Sequence, residues 1–150
     1  MHRVVITGMG CVTPIGIGVA ETWESLLAGR SGIDHISSFD ASEYSVRIAG
    51  EVKNFDPTAF LDRKAARRLD RFVQLAHAAA AEAIEASRLP INDATRARIG
   101  VIIGSGIGGM NTLEREHAAL LERGPDRVSP FFIPMMISNM AAGHLSMQFG

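Results

Sequence analysis

Arg98-Ile-Gly-Val-Ile-Ile-Gly-Ser-Gly-Ile-Gly-Gly109 runs from an apolar stretch into a loop in which four of the six residues after Ile103 are glycine. A helix-like segment follows, so the layout predicts strand, glycine loop, helix. Glycine has no Cβ and tolerates positive φ, which lets such a loop approach a ligand or another backbone closely. Gly104, Gly106 and Gly109 satisfy G-x-G-x-x-G, the spacing of dinucleotide sites. Such a site also needs an acidic residue about twenty positions further on, at the end of the next strand. Glu122 lies near that distance but closes a helix-like stretch, and Ile107 puts an apolar side chain in the middle of the loop. The pattern therefore reads first as a tight turn packing strand on helix, with an NAD, FAD or ATP site as the competing reading.

Outward from this loop, Arg3–Thr7 reads as a buried, β-branched strand followed by Gly8 and Gly10. Thr13-Pro14-Ile15-Gly16 reads as a turn. Ala20–Ala28 is expected to be a short helix with Trp23, Leu26 and Leu27 on one side and Gly29 as its stop. Residues 31–52 promise loops and short strands, and Asp56-Pro57 an N-cap with proline at the first helical position. The longest helix is expected over Lys64–Ser87, where Leu69, Phe72, Val73, Ala76, Ala80, Ala83 and Ile84 draw one apolar stripe. Asn111-Thr-Leu-Glu114 resembles a capping box opening a helix that stops near Gly124-Pro125. Pro134–Gln148 reads as a last helix. Alternating strands and helices point to an α/β fold with parallel strands. The two clearest strands are too few to cover the helices, so the chain reads as the opening part of something larger.

Composition narrows the function. The 150 residues carry a net charge of −1, which argues against general nucleic-acid binding. The start of the chain is interrupted by glycine too early for a signal peptide, and no apolar run is long enough to span a bilayer, so a cytoplasmic location is expected. The single cysteine excludes an internal disulfide framework. Cys11 follows a strand with no helix starting beside it, so it reads as a small buried hydrophobe rather than a nucleophile. His2, His35, His77, His117 and His144 are scattered without metal-ligand spacing, so no metal site is expected. Lys64, Arg67, Arg68 and Arg71 recur at three- and four-residue steps, either as a solvated face or as a dock for an acidic partner. Ser129-Pro-Phe-Phe-Ile-Pro134 places large apolar residues between prolines; they belong in a core, a subunit contact or a ligand pocket.

The ordered set of motifs resembles the beta-ketoacyl-acyl-carrier-protein synthases, most closely those of type II. It rests on Arg3-Val-Val-Ile-Thr-Gly-Met-Gly10 with Thr13-Pro-Ile-Gly16, on Leu26-Leu-Ala-Gly-Arg-Ser-Gly-Ile33 and on Ile103-Gly-Ser-Gly-Ile-Gly-Gly109. Ser129-Pro-Phe-Phe-Ile-Pro134 and Asn139-Met-Ala-Ala-Gly-His-Leu145 complete it, collinear through the chain.

The resemblance implies a thiolase-like fold, an αβαβα sandwich of which residues 1–150 form an incomplete N-terminal half, truncated before the nucleophile. It also implies a homodimer, no cofactor, and fatty-acid elongation by decarboxylative condensation with malonyl-acyl carrier protein. The family's nucleophilic cysteine and two histidines match nothing here, neither Cys11 nor His144, so no catalytic residue and no activity are expected of the chain alone. By the same resemblance Ile107 lies at the bend of the acyl pocket, and Phe132 and Ile133 reach into the partner subunit's pocket. Lys64, Arg67 and Arg68 meet acyl carrier protein in its acyl and malonyl forms. A non-catalytic partner subunit of a heterodimeric condensing enzyme is the alternative.

Overall fold

The computed structural model describes residues 3–150. Among the described residues four short strands, β1 (Val12–Thr13), β2 (Gly16–Ile17), β3 (Ile33–His35) and β4 (Ile48–Gly50), accompany six α-helices. These are α1 (Val19–Leu27), α2 (Arg63–Arg67), α3 (Arg71–Ser87), α4 (Met110–Arg123), α5 (Phe132–Met136) and α6 (Met140–Phe149). The chain divides into two compact units, one holding the residues up to Asp56 with Ala78–Arg88, the other Pro57–His77 with Leu89–Gly150. No helix among the described residues is long and apolar enough to cross a membrane.

In the first unit the Thr13–Gly16 turn closes a hairpin, with β1 and β2 antiparallel and Thr13 opposite Gly16. β3 and β4 form a second antiparallel ribbon, pairing Ile33 with Gly50. The glycines after Arg3–Thr7 set how close the chain runs to the end of α3. A Cβ at Gly8 would strike the carbonyl of Ala83, and one at Gly10 the carbonyl of Ala79. Helix α1 starts after Gly18, which has φ of 99° and no side chain with which to cap. Glu82 supplies that cap from α3: Oε1 accepts from Val19 N–H at 2.8 Å, and Oε2 from Cys11 N–H at 3.0 Å. Gly29, with φ of 64°, ends α1 as expected. Trp23, Leu26 and Leu27 are exposed, and the residue that α1 buries is Ser25.

The second unit is built on a core of Leu61, Ala66, Leu69, Val73 and Ala141, against which Phe72, Ala76 and Ile103 pack. The single helix expected over Lys64–Ser87 is broken at Arg68-Leu69-Asp70 into α2 and α3. The apolar spacing continues through the break, which is why periodicity does not reveal it. Local polar chemistry makes it: Asp62 caps α2 through Lys64 and Ala65 N–H at 2.8 and 2.9 Å. The Gln74 amide then donates to the carbonyls of Ala66 and Leu69 at the break.

Asp70 stands at the next helix start. Its Oδ1 accepts from Phe72 N–H at 3.4 Å, and its Oδ2 from Thr112 N–H at 2.8 Å and Thr112 Oγ1–H at 2.6 Å. Helix α4 begins at Met110, so Asn111-Thr-Leu-Glu114 lies inside its first turn and is not a capping box; the borrowed carboxylate of Asp70 caps it instead. The helix expected over Pro134–Gln148 is likewise two helices. Ile137 is extended between them, and the carbonyl of Met136, at the end of α5, accepts from Gly109 N–H at 2.8 Å.

The two expected core strands are corrected more deeply. Arg3–Thr7 has no ladder partner among the described residues, and Val4, Val5 and Ile6 are 96%, 64% and 83% exposed. Arg96–Arg98 forms a 3-10 turn, and the chain beyond it runs unpaired, with Ile102 exposed. Strand propensity is present in both, but a strand exists only where a second backbone accepts its hydrogen bonds. The ladders that do form are antiparallel, not the parallel pairs that the strand–helix alternation suggested.

Asp70 is 5% exposed and Thr112 fully buried, so the carboxylate cannot be replaced by water. Asp70→Ala is expected to lower stability by about 3 kcal/mol, combining a lost cap with lost hydrogen bonds to a charged group. Asp70→Asn should cost less. Urea unfolding followed by circular dichroism reads both.

Candidate functional site

The glycine loop divides into an open half and a closed half. A Cβ at Gly104 or Gly106 would meet nothing within 4 Å. Gly108 takes φ of 88°, and a Cβ there would strike the carbonyl of Met136. At Gly109 a Cβ would lie 2.5 Å from the Met135 carbonyl and 2.9 Å from Asp70 Oδ2. The closed half therefore lets α4 start against the end of α5, while Ile107, 68% exposed, projects from the open part. The same geometry removes the nucleotide reading. A phosphate would need the free N–H groups at the start of α4, but Asp70 already occupies the N–H of Thr112 with a negative charge.

Ser129-Pro-Phe-Phe-Ile-Pro134 is anchored at its start by α4. The buried carboxylate of Glu116 accepts from Ser129 N–H at 2.7 Å and from Arg115 Nε at 3.1 Å. The Ser129 amide, more than the nearby arginines, holds the Glu116 carboxyl below the usual carboxylate range against the opposing effect of burial. Ser129 Oγ in turn accepts from Phe131 N–H at 3.1 Å. On α5, Met135 is buried, Phe132 half-buried and Ile133 53% exposed. The structure thus joins the glycine loop to this segment through Gly109 and Met136, and leaves Ile107 and Ile133 open to solvent.

Lys64, Arg67 and Arg68 are exposed on and just after α2, and among the described residues no carboxylate pairs with them. Arg71, grouped with them by spacing, belongs to α3 beyond the break. The Arg68 guanidinium carbon lies 5.2 Å from the centre of the Phe131 ring, so the basic group meets the apolar segment at one point.

Cys11 is half-buried, with its Sγ 3.4 Å from Thr22 Oγ1 and the Glu82 carboxylate on its N–H. A nucleophilic thiolate calls for a cation or a helix N-terminus beside it. Cys11 does lie against the start of α1, its carbonyl accepting from Gly18 N–H at 2.9 Å, but that start already carries the Glu82 carboxylate, an anion that disfavours a thiolate. His77 is buried, stacked on Phe149 at 5.4 Å, and neither ring nitrogen has a hydrogen-bond partner among the described residues. Burial, with a smaller contribution from His144, pushes its imidazole below the usual histidine range. Among the described residues no three His, Cys, Asp or Glu side chains converge as a metal site would require; His2 lies outside them.

The model of the beta-ketoacyl synthase N-terminal domain matches residues 1–150. The chain belongs to the beta-ketoacyl synthase family. A curated relative, 3-oxoacyl-[acyl-carrier-protein] synthase 2 of Staphylococcus aureus strain N315, is 55% identical over 148 residues, which is 99% of this chain and 36% of that protein. The chain therefore spans about a third of the length of the curated relatives it matches. Among solved structures, a beta-ketoacyl synthase from Burkholderia phymatum STM815 superposes with a TM-score of 0.81 at 29% identity, covering 99% of this chain and 37% of that one. A ketosynthase solved in complex with its type II acyl-carrier protein gives 0.78 at 24% identity, covering 97% and 39%, and speaks to the fold alone. The thiolase-like fold implied by the motif order is thus the fold of this chain. Its described residues show it as helices, two short antiparallel ribbons and unpaired segments.

Asp70 is the residue whose part sequence reasoning missed; Phe131 stood out only as one of the large apolar residues of Ser129–Pro134, without its contact to Arg68. Asp before an apolar-periodic run is an N-cap signal, and Arg68-Leu-Asp70 carried it within a pattern already read as continuous helix. For the loop, Gly109→Ala is expected to cost about 2 kcal/mol because backbone and carboxylate must move. Gly104→Ala should change stability by less than about 0.5 kcal/mol. Equal losses for the two variants in chemical denaturation would contradict the division of the loop.

Proposed function

We propose that this chain is part of a fatty-acid condensing enzyme, a beta-ketoacyl-acyl-carrier-protein synthase that elongates an acyl chain with malonyl units delivered by acyl carrier protein. The observation that carries the proposal is the family match over the whole chain, together with 55% identity to a relative named 3-oxoacyl-[acyl-carrier-protein] synthase 2. In such chemistry an enzyme cysteine thiolate attacks the acyl thioester, and the carrier thiol leaves. The malonyl thioester then loses carbon dioxide, and its carbanion attacks the enzyme thioester, expelling the thiolate. Backbone N–H groups stabilise the oxyanions formed. No residue of this chain is assigned a part in those bond changes.

The chain contributes surface instead. Ile107 borders the acyl pocket: the open half of its loop offers glycine backbone and an isoleucine, which suit a hydrocarbon chain and give a charged ligand little to bind. Phe132 and Ile133 extend an apolar edge into the partner subunit's pocket in a homodimer, and the exposure of Ile133 supports this, since a large apolar side chain is well placed where another chain covers it. Lys64, Arg67 and Arg68 dock the acidic carrier. Cations without carboxylate partners of their own attract an acidic protein over distance and orient it on arrival.

Reversing the charge of Lys64, Arg67 and Arg68 together should weaken carrier binding about tenfold or more at low salt, with the difference shrinking as salt screens it. Titration of the full-length protein with acyl carrier protein checks this; unchanged affinity removes the docking assignment. Ile107→Phe should narrow the pocket and shift condensation toward shorter acyl chains. An unaltered chain-length profile would dismiss the pocket role.

A further inference from the structure

The cation over the Phe131 ring is held from both sides. Arg68 sits at the end of α2, its N–H donating to the Ala65 carbonyl at 2.9 Å. The backbone of Phe131 is fixed as well: its N–H donates to Ser129 Oγ, and its carbonyl accepts from Met135 N–H at 3.0 Å. Ser129 is tied in turn to the buried Glu116. The ring is 48% exposed, which the core does not explain, and the guanidinium carbon lies 5.2 Å from its centre.

Among the described residues no carboxylate takes the donors of Arg68. A long cationic side chain free in water loses considerable rotamer freedom when a partner captures it. A planar guanidinium already resting on an aromatic face loses less, and it can still present its N–H fork to a carboxylate. Lys64 and Arg67 have no such ring contact among the described residues, so they offer charge without placement.

We propose that Phe131 is a positioning residue for carrier docking, holding the Arg68 guanidinium ready to receive a carboxylate of the acidic carrier protein. The proposal rests on the docking role of Lys64, Arg67 and Arg68. It gives the first phenylalanine of Ser129–Pro134 a task separate from that of Phe132. It also divides the basic group in two, with Lys64 and Arg67 acting through screened charge and Arg68 through a placed hydrogen-bonding fork.

The test is the dissociation constant of the full-length protein with acyl carrier protein, for Phe131→Leu, Phe131→Tyr, Arg68→Gln and the Phe131→Leu/Arg68→Gln pair. Phe131→Leu should weaken binding about three- to fivefold without changing any charge, the range expected of an exposed cation–ring contact. Phe131→Tyr, which keeps the ring, should bind like the unaltered protein. In the Arg68→Gln background, Phe131→Leu should have no further effect. The Phe131→Leu deficit should also persist at salt concentrations that remove most of the contribution of Lys64 and Arg67.

Unchanged affinity in Phe131→Leu would overturn the proposal. So would additive losses in the double variant, or a loss in Phe131→Tyr equal to that in Phe131→Leu. In each of these cases a weakening on charge reversal at Lys64, Arg67 and Arg68 leaves carrier docking itself standing. If charge reversal has no effect, docking fails, and the role of Phe131 fails with it.

Discussion

Two helices of this chain begin at glycines, and both take their caps from carboxylates elsewhere in the sequence. Helix α1 starts after Gly18 and is capped by Glu82; α4 starts after Gly109 and is capped by Asp70. A glycine at such a position lets two backbones approach but cannot cap, so the unsatisfied N–H groups must find an acceptor from another element. At α4 the approach and the cap are one constraint. A side chain at 109 would collide with the Met135 carbonyl and with Asp70 itself. The glycine loop, the start of α3 and the end of α5 are therefore fixed by one buried carboxylate and one missing Cβ.

This constraint is what makes the loop useful as a surface. With Gly108 and Gly109 tied to α5, Gly104 and Gly106 face open space and Ile107 projects exposed beside them. Glu116 does the same for the neighbouring segment, holding Ser129 while Phe131 and Ile133 stay exposed. Rigid backbone bearing exposed apolar side chains is how a protein presents a wall to a ligand or a partner.

What the sequence discloses follows from how local the physics is. Helix α1 and its stop at Gly29, the Thr13–Gly16 turn and the end of α4 at Gly124 are governed by neighbours in the chain, and they could be read from it; the N-cap of α4, Gly109, lies two residues before the expected cap. The break at Arg68–Asp70 was also local, but its signal competed with a stronger apolar rhythm. The cap of Thr112 by Asp70 spans 42 residues, and no spacing rule reaches that far. Strand pairing is likewise non-local, so the β-branched runs at Arg3–Thr7 and Ile99–Ile103 announced extended backbone without announcing a partner. Of the candidate site, residue patterns drew attention to the glycine loop, the basic group and the double phenylalanine. The roles of Ile107, Phe132, Ile133, Lys64, Arg67 and Arg68 came from family resemblance alone.

Val4–Ile6 and Ile102 place exposed apolar side chains on backbone with no ladder partner among the described residues. Open N–H and C=O groups accept any strand whose own backbone is extended, so such a position selects conformation and side-chain alternation more than any one residue.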